Sequence, residues 1–228
     1  MTSYFPDVKH VIMDEVQNFT AEDGDWLSEA RELVRTDGRD EDPGYLWLFI
    51  DNSQLNHSYV DVPKPSKQVP FFRLKKVIRN SKRIFDYSMQ FIDEDKLKIE
   101  LGHDFCGDEV QREKHSRGES QLICLNRVLT TLFNEGFSKG DVVVLYGQED
   151  CIPNDRSFQK LGLTIVTAEQ NNSNYLVVST FRKYSGLERP VVVTVDLDES
   201  LPYGSFPSRS MYCAVTRAMV KLVVIQPE

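Results

Sequence analysis

Asp141-Val142-Val143-Val144-Leu145-Tyr146-Gly147 is an apolar run stopped by a glycine. A run without polar alternation suits a strand covered on both faces, as in a parallel sheet, rather than one with a wet side. Further runs of the same kind stand at 163–167, 175–180, 190–196 and 221–226. Helical stretches at 156–161 and 208–219 separate them. This alternation predicts an α/β fold with a mostly parallel sheet covered by helices.

Upstream, Leu122, Leu125, Val128, Leu129, Leu132 and Phe133 recur at helical spacing, closed by Gly136 as a C-cap. Ile84, Phe85, Ser88 and Phe91 line a second helix, with Ser81 at its N-cap position. Residues 102–120 are charged and poor in large apolar groups, which predicts a long mobile loop. At the front, 8–13 and 45–50 read as buried strands, running into Asp14-Glu15 and Asp51 respectively. Between them, Trp26, Leu27, Ala30, Leu33 and Val34 mark an amphipathic helix over 23–35, followed by an acidic loop over 36–44. Pro63, Pro65 and Pro70 in a polar setting forbid regular helix, so the segment is either an extended linker or a surface loop. The linker reading divides the chain into 1–62, a linker over 63–70, and 71–228.

The 228 residues carry a net charge of −8 and a pI near 5.1. Bulk charge therefore does not draw the chain to nucleic acid, and any such binding needs a local basic face. Arg73, Lys75, Lys76, Arg79, Lys82 and Arg83 supply one, either as a nucleic-acid surface or as a solvated helix face. Cys106, Cys124, Cys151 and Cys213 form no CxxC pair and read as reduced, mostly buried thiols. His103 and Cys106 have zinc-like spacing, but no second close pair follows. The N-terminus lacks the apolar core of a signal peptide, and no apolar run matches a bilayer. The expectation is an intracellular protein, cytosolic or nuclear, without a membrane partner.

An acidic pair at the tip of an apolar strand, as in Asp14-Glu15-Val16-Gln17, is what a Walker B element requires. One carboxylate holds Mg²⁺ and the other acts as general base toward water. Asp51-Asn52-Ser53-Gln54 follows a second strand, and Leu74-Lys75-Lys76-Val77-Ile78-Arg79-Asn80 precedes a helix. Thr180 to Glu188 reads TFRKYSGLE, and Tyr212 to Ala218 reads YCAVTRA. In this order the five segments resemble motifs II to VI of superfamily 1 helicases of the UvrD/Rep-like group. The wording Tyr184-Ser185-Gly186-Leu187-Glu188-Arg189-Pro190 is closer to the Schlafen family, in the helicase-like part of its longer members. His10 to Gln17 and Met211 to Ala218 are similar to the same family.

The resemblance implies a partial RecA-like domain followed by a second one, both P-loop NTPase-like. It makes Asp14 and Glu15 the handlers of Mg²⁺ and water. Gln17 and Gln54 would lie at the nucleotide, Gln54 on the γ-phosphate. Arg79 and Arg217 would approach that phosphate from the second domain, Arg217 as the catalytic arginine. Gly186 and Glu188 would flank the nucleotide, Glu188 on the ribose, and Thr180 would touch a nucleic-acid phosphate. Tyr184 either stacks on a base or packs. ATP and Mg²⁺ are the implied cofactors, and single-stranded DNA or RNA, or tRNA, the implied partners. One departure matters: no G-x-x-x-x-G-K-[ST] loop occurs anywhere in the sequence. The implied first RecA-like domain thus lacks its N-terminal half, and the chain alone is expected to bind ATP weakly or not at all and to have no helicase activity. A non-catalytic nucleic-acid- or protein-binding module derived from the same fold is the other reading.

Overall fold

A computed structural model describes residues 9–19, 24–34, 44–51, 70–92, 99–116, 120–170, 174–197 and 207–228. The chain divides into two units, Met1–Phe72 and Arg73–Glu228.

In the first unit, β1 (Val11–Met13) pairs in parallel with β2 (Leu46–Leu48), Ile12 lying opposite Trp47. The pairing continues past the strands, with Phe49 N donating to Met13 O at 2.8 Å and Val16 N to Phe49 O at 3.0 Å. Helix α1 (Trp26–Leu33) starts where the Asp25 side chain accepts from Ser28 N at 3.3 Å, and it buries Ala30. Gln54 and the expected linker, apart from Pro70, lie outside the described residues.

The second unit is a six-stranded sheet. Its strands are β5 (Gln111–His115), β6 (Val142–Tyr146), β7 (Ile165–Val166), β8 (Leu176–Thr180), β9 (Arg189–Val195) and β10 (Ala218–Pro227). Their spatial order is β5-β10-β9-β6-β8-β7, and every described pairing is parallel. A separate parallel pair, β3 (Lys76–Val77) with β4 (Glu100–Leu101), stands beside it.

The unbroken apolar runs are explained by the two faces. Val143, Leu145, Val177, Val192, Leu222 and Val224 enter one core layer, under α2 (Lys82–Met89) and α5 (Pro207–Val215). Their chain neighbours Val142, Val144, Val178, Val193, Val223 and Ile225 enter the other. There α3 (Gln121–Asn134) lays down Leu125, Val128, Leu129 and Leu132, and α4 (Asp155–Gln159) adds Phe158. Every position is inward-facing on one side or the other, so polar alternation has no place.

Several expectations are corrected. The strands expected to be buried at 8–13 and 45–50 leave Ile12, Tyr45, Trp47 and Phe49 exposed, and only two of the four thiols are buried. The loop expected over 102–120 contains β5, an edge strand whose backbone pairs with β10 from Gln111↔Val223 to His115↔Pro227. An edge strand tolerates charges because its outer side meets solvent. The last helix ends at Val215, not 219, and β10 already begins at Ala218. Ser81 stands at the N-cap of α2 as expected, although its hydroxyl makes no capping bond. The exposed amides of that helix are satisfied by a loop, with Lys82 N donating to Phe105 O at 2.9 Å and Arg83 N to Cys106 O at 3.1 Å. Of the four free cysteines, Cys124 and Cys213 are buried, while Cys106 and Cys151 are exposed. Among the described residues, no helix is long and apolar enough to cross a membrane.

Candidate functional site

The tips of β1 and β2, in the first unit, carry a group of acidic side chains. Asp14 is exposed, and its Oδ1 accepts from Glu15 N at 2.9 Å. Glu15 sits at φ 52°, in the left-handed region that non-glycine residues enter rarely. Gln17 is buried and joins the two tips: its amide nitrogen donates to the Glu15 carboxylate, and its Oε1 accepts from Asp51 N at 3.0 Å. Gln17 thus orients a carboxylate from within the protein. Among the described residues no group of three or more His, Cys, Asp or Glu side chains could hold a metal ion. Mg²⁺ keeps several waters and takes one or two protein carboxylates beside substrate phosphates, a demand that Asp14 and Glu15 fit.

In the second unit a basic cluster lies at the amino ends of β9 and β10, neighbours with Ala218 opposite Arg189. The Arg79 guanidinium pairs with the Glu188 carboxylate, both side chains about two-fifths exposed. Arg217 is buried, 2% exposed, and its Nη2 donates to Ser185 Oγ at 3.5 Å. Arg189 N donates to Arg217 O at 3.1 Å. Gly186 has φ +76° with open space where a Cβ would be, so only the backbone conformation calls for glycine. The turn it makes lets the chain run from β8 to Glu188. Three segments far apart in sequence, around 79, 184–189 and 217, are therefore drawn together.

Tyr184 is fully buried in the core layer, and its hydroxyl donates to Glu188 O at 3.1 Å, so it packs rather than stacks. Burial pushes that hydroxyl above the ordinary tyrosine range, against the pull of Arg189 and Arg217. Thr180 is buried, its Oγ1 accepting from Lys183 N at 3.3 Å. His103 is occupied locally, its Nδ1 accepting from Phe105 N at 3.2 Å. Sequence reading did not single out Asn80, Ser185 or Arg189, although each adjoins a residue that it did. Arg189 also helps hold the Asp141 carboxyl low, after the hydroxyl and amide of Ser138.

Fold and geometry together define a parallel α/β domain with clustered arginines at one end of its sheet. No family model matches the sequence. Among solved structures, the chain is similar to the C-terminal domain of a possible DNA helicase from Lactobacillus plantarum WCFS1. The TM-score is 0.51 at 15% identity, over 65% of this chain and 86% of that one. A further match is to the arterivirus nonstructural protein 10 helicase, with a TM-score of 0.35 at 17% identity over 94% of this chain. The chain spans 38% of that protein's length. The first likeness bears on the fold alone: a mostly parallel α/β sheet covered by helices, shared with that domain.

Proposed function

We propose that this chain is part of a Schlafen-like superfamily 1 ATPase acting on nucleic acid, contributing the Walker B carboxylates and the arginines but not the phosphate loop. The observation that carries the reading is the meeting of Arg79, Glu188 and Arg217, from three separate motifs, at the amino ends of β9 and β10. Parallel sheets usually bind ligands beyond the carboxyl ends of their strands. A basic cluster at the opposite end suits a lobe that lends charge to a phosphate held by another lobe. Arginine fits this task because its planar, permanently charged fork matches phosphate oxygens. On this reading Asp14 would hold Mg²⁺, which would neutralise phosphate charge, and Glu15, oriented by Gln17, would take the proton of the attacking water. The reading requires Asp14 and Glu15 to meet Arg79 and Arg217 across one triphosphate-sized gap. Gln54 would read the γ-phosphate and Glu188 the ribose.

The test is Mg²⁺-ATP turnover by the purified chain alone and by the chain joined to a first RecA-like half that carries the phosphate loop. No turnover is expected alone. The joined protein is expected to hydrolyse ATP, and Arg217→Ala to slow it by roughly 10³- to 10⁵-fold. Turnover by the chain alone that Glu15→Gln abolishes would show that no phosphate loop need be supplied. Joined turnover indifferent to Arg217→Ala would remove the arginine assignment.

One observation favours the binding-module reading. Phe71, Phe72, Leu74 and Ile78 are exposed and interleaved with Arg73, Lys75, Lys76 and Arg79. Aromatic and basic side chains together suit single-stranded nucleic acid. Nucleotide-independent binding of a single-stranded oligonucleotide that weakens steeply with salt would favour this module.

A further inference from the structure

We propose that Asn80 is a positioning residue that holds Arg79 and Arg217 in one fixed relation, so that both can address the same phosphate chain. The phosphate part rests on the function proposed above; the clamp itself rests on geometry alone. Asn80 is 3% exposed. Its Nδ2 donates to Thr216 O at 2.8 Å and to Ala218 O at 2.6 Å, the two carbonyls that bracket Arg217. The contact continues one residue further, where Ser81 N donates to Met219 O at 2.9 Å. The carbonyl between them, Arg217 O, is taken by Arg189 N. Four successive carbonyls, 216 to 219, are thus held by two other segments of the chain.

The clamp falls where the sheet cannot do the work. The register of β10 against β9 shifts between Ala218 and Lys221, so the ladder is interrupted just after the arginine. On the other side the chain turns tightly out of α5, with Thr216 Oγ1 donating to Tyr212 O at 2.7 Å. Arg79 is bonded directly to Asn80, so pinning Asn80 to the 216–218 backbone also sets the spacing of the two arginines. The chemistry is selective. A primary amide offers two N–H donors on one planar nitrogen without charge. Serine offers one donor, leucine none, and aspartate would aim oxygens at carbonyl oxygens.

The experiment is arginine modification of the full chain by phenylglyoxal, mapped by mass spectrometry, on the wild type, Asn80→Leu and Asn80→Ser. Buried Cys124 lies in α3 on the other face of the sheet, and thiol labelling there reports general opening. Loss of two buried hydrogen bonds is expected to speed Arg217 modification by roughly tenfold or more in Asn80→Leu, and less in Asn80→Ser. Cys124 is expected to stay protected in both. Equal unmasking of Arg217 and Cys124 would make Asn80 merely structural and overturn the proposal, as would an Arg217 that stays protected. If Asn80→Leu fails to fold, Asn80→Ser carries the same comparison. Calorimetry with sodium tripolyphosphate on the chain joined to a first RecA-like half that carries the phosphate loop separates the two claims. Weaker binding in Asn80→Ser supports both. A clamp that passes the labelling test, in a joined protein whose tripolyphosphate binding is the same in wild type and Arg217→Ala, would leave the clamp standing and overturn the phosphate reading.

Discussion

Glu188 illustrates how much one residue can hold. Its carboxylate pairs with Arg79, its carbonyl accepts from Tyr184, and its successor Arg189 secures the Arg217 backbone. Glu188, Arg79 and Arg217 were legible in the sequence because each stands in a short worded motif. Asn80 was not, because its partners lie 136 and 138 residues away and are backbone carbonyls, which have no identity in a sequence. Lys221 is a similar case: 8% exposed, it meets Glu135 Oε2 at 2.6 Å and Asp108 Oδ2 at 3.4 Å. Burial alone would lower its pKa, but the two carboxylates outweigh it and hold the pKa above the ordinary 10.5. A raised lysine contributes stability that is complete below 10.5 and lost as pH climbs through the higher folded value. Thermal unfolding followed from pH 8 to 11 should show the wild type losing Tm at the alkaline end more steeply than Glu135→Gln. Parallel curves would remove this ion pair from the account.

Elements differ in how well their own residues announce them. Helix α3 was readable from its apolar stripe and from Gly136 at its end, whereas its start at Ser120 falls in the stretch that reads as a loop. Ser120 Oγ accepts from Leu122 N at 3.3 Å, and at the far end Gly136 N donates to Phe133 O and Phe137 N to Leu132 O. Those two bonds form a Schellman motif, which needs a left-handed residue, and Gly136 has φ +102°. A Cβ there would meet nothing, so Gly136→Ala isolates the conformational cost. Urea denaturation should show a loss of about 1–2 kcal/mol, and no loss would mean that the turn relaxes. Strand β5 was unreadable for the opposite reason. Gln111-Arg112-Glu113-Lys114-His115 has no apolar period, and its stability comes from β10 and from a clasp outside its own run. His115 Nε2 lies 2.9 Å from Asp196 Oδ1, and Gln121 Nε2 donates to the same carboxylate at 2.7 Å. The boundary between α5 and β10 was missed because Ala218 and Met219 are as apolar as a helix face would be. The turn at Thr216-Arg217 is held by the two tertiary hydrogen bonds from Asn80, beside a local bond from Thr216 Oγ1 to Tyr212 O.

At the scale of the whole chain, the six-stranded sheet and both core layers belong to Arg73–Glu228, and all their strand pairings lie within that unit. Residues 73–228 expressed alone should therefore unfold cooperatively in denaturant, with well-dispersed amide resonances. Residues 1–72 alone should show no sharp transition, because the sheet among the described residues there has two strands, and such a pair is marginal by itself. Here Ile12 remains 70% exposed and Trp47 50%. A cooperative transition in 1–72, or none in 73–228, would contradict this division of stability. Apolar runs and helical spacing determined the class of fold and most element positions, and short motifs singled out the carboxylates and arginines as candidates. Those features depend on residues within a few positions of one another, where side-chain period and chain stereochemistry act directly. Only the tertiary structure decided the strand order, the edge strand β5, the end of α5 and the seating of Arg217. Each of these is settled by hydrogen bonds between residues far apart in the chain, most of them to backbone groups, and a backbone partner leaves no mark on residue type.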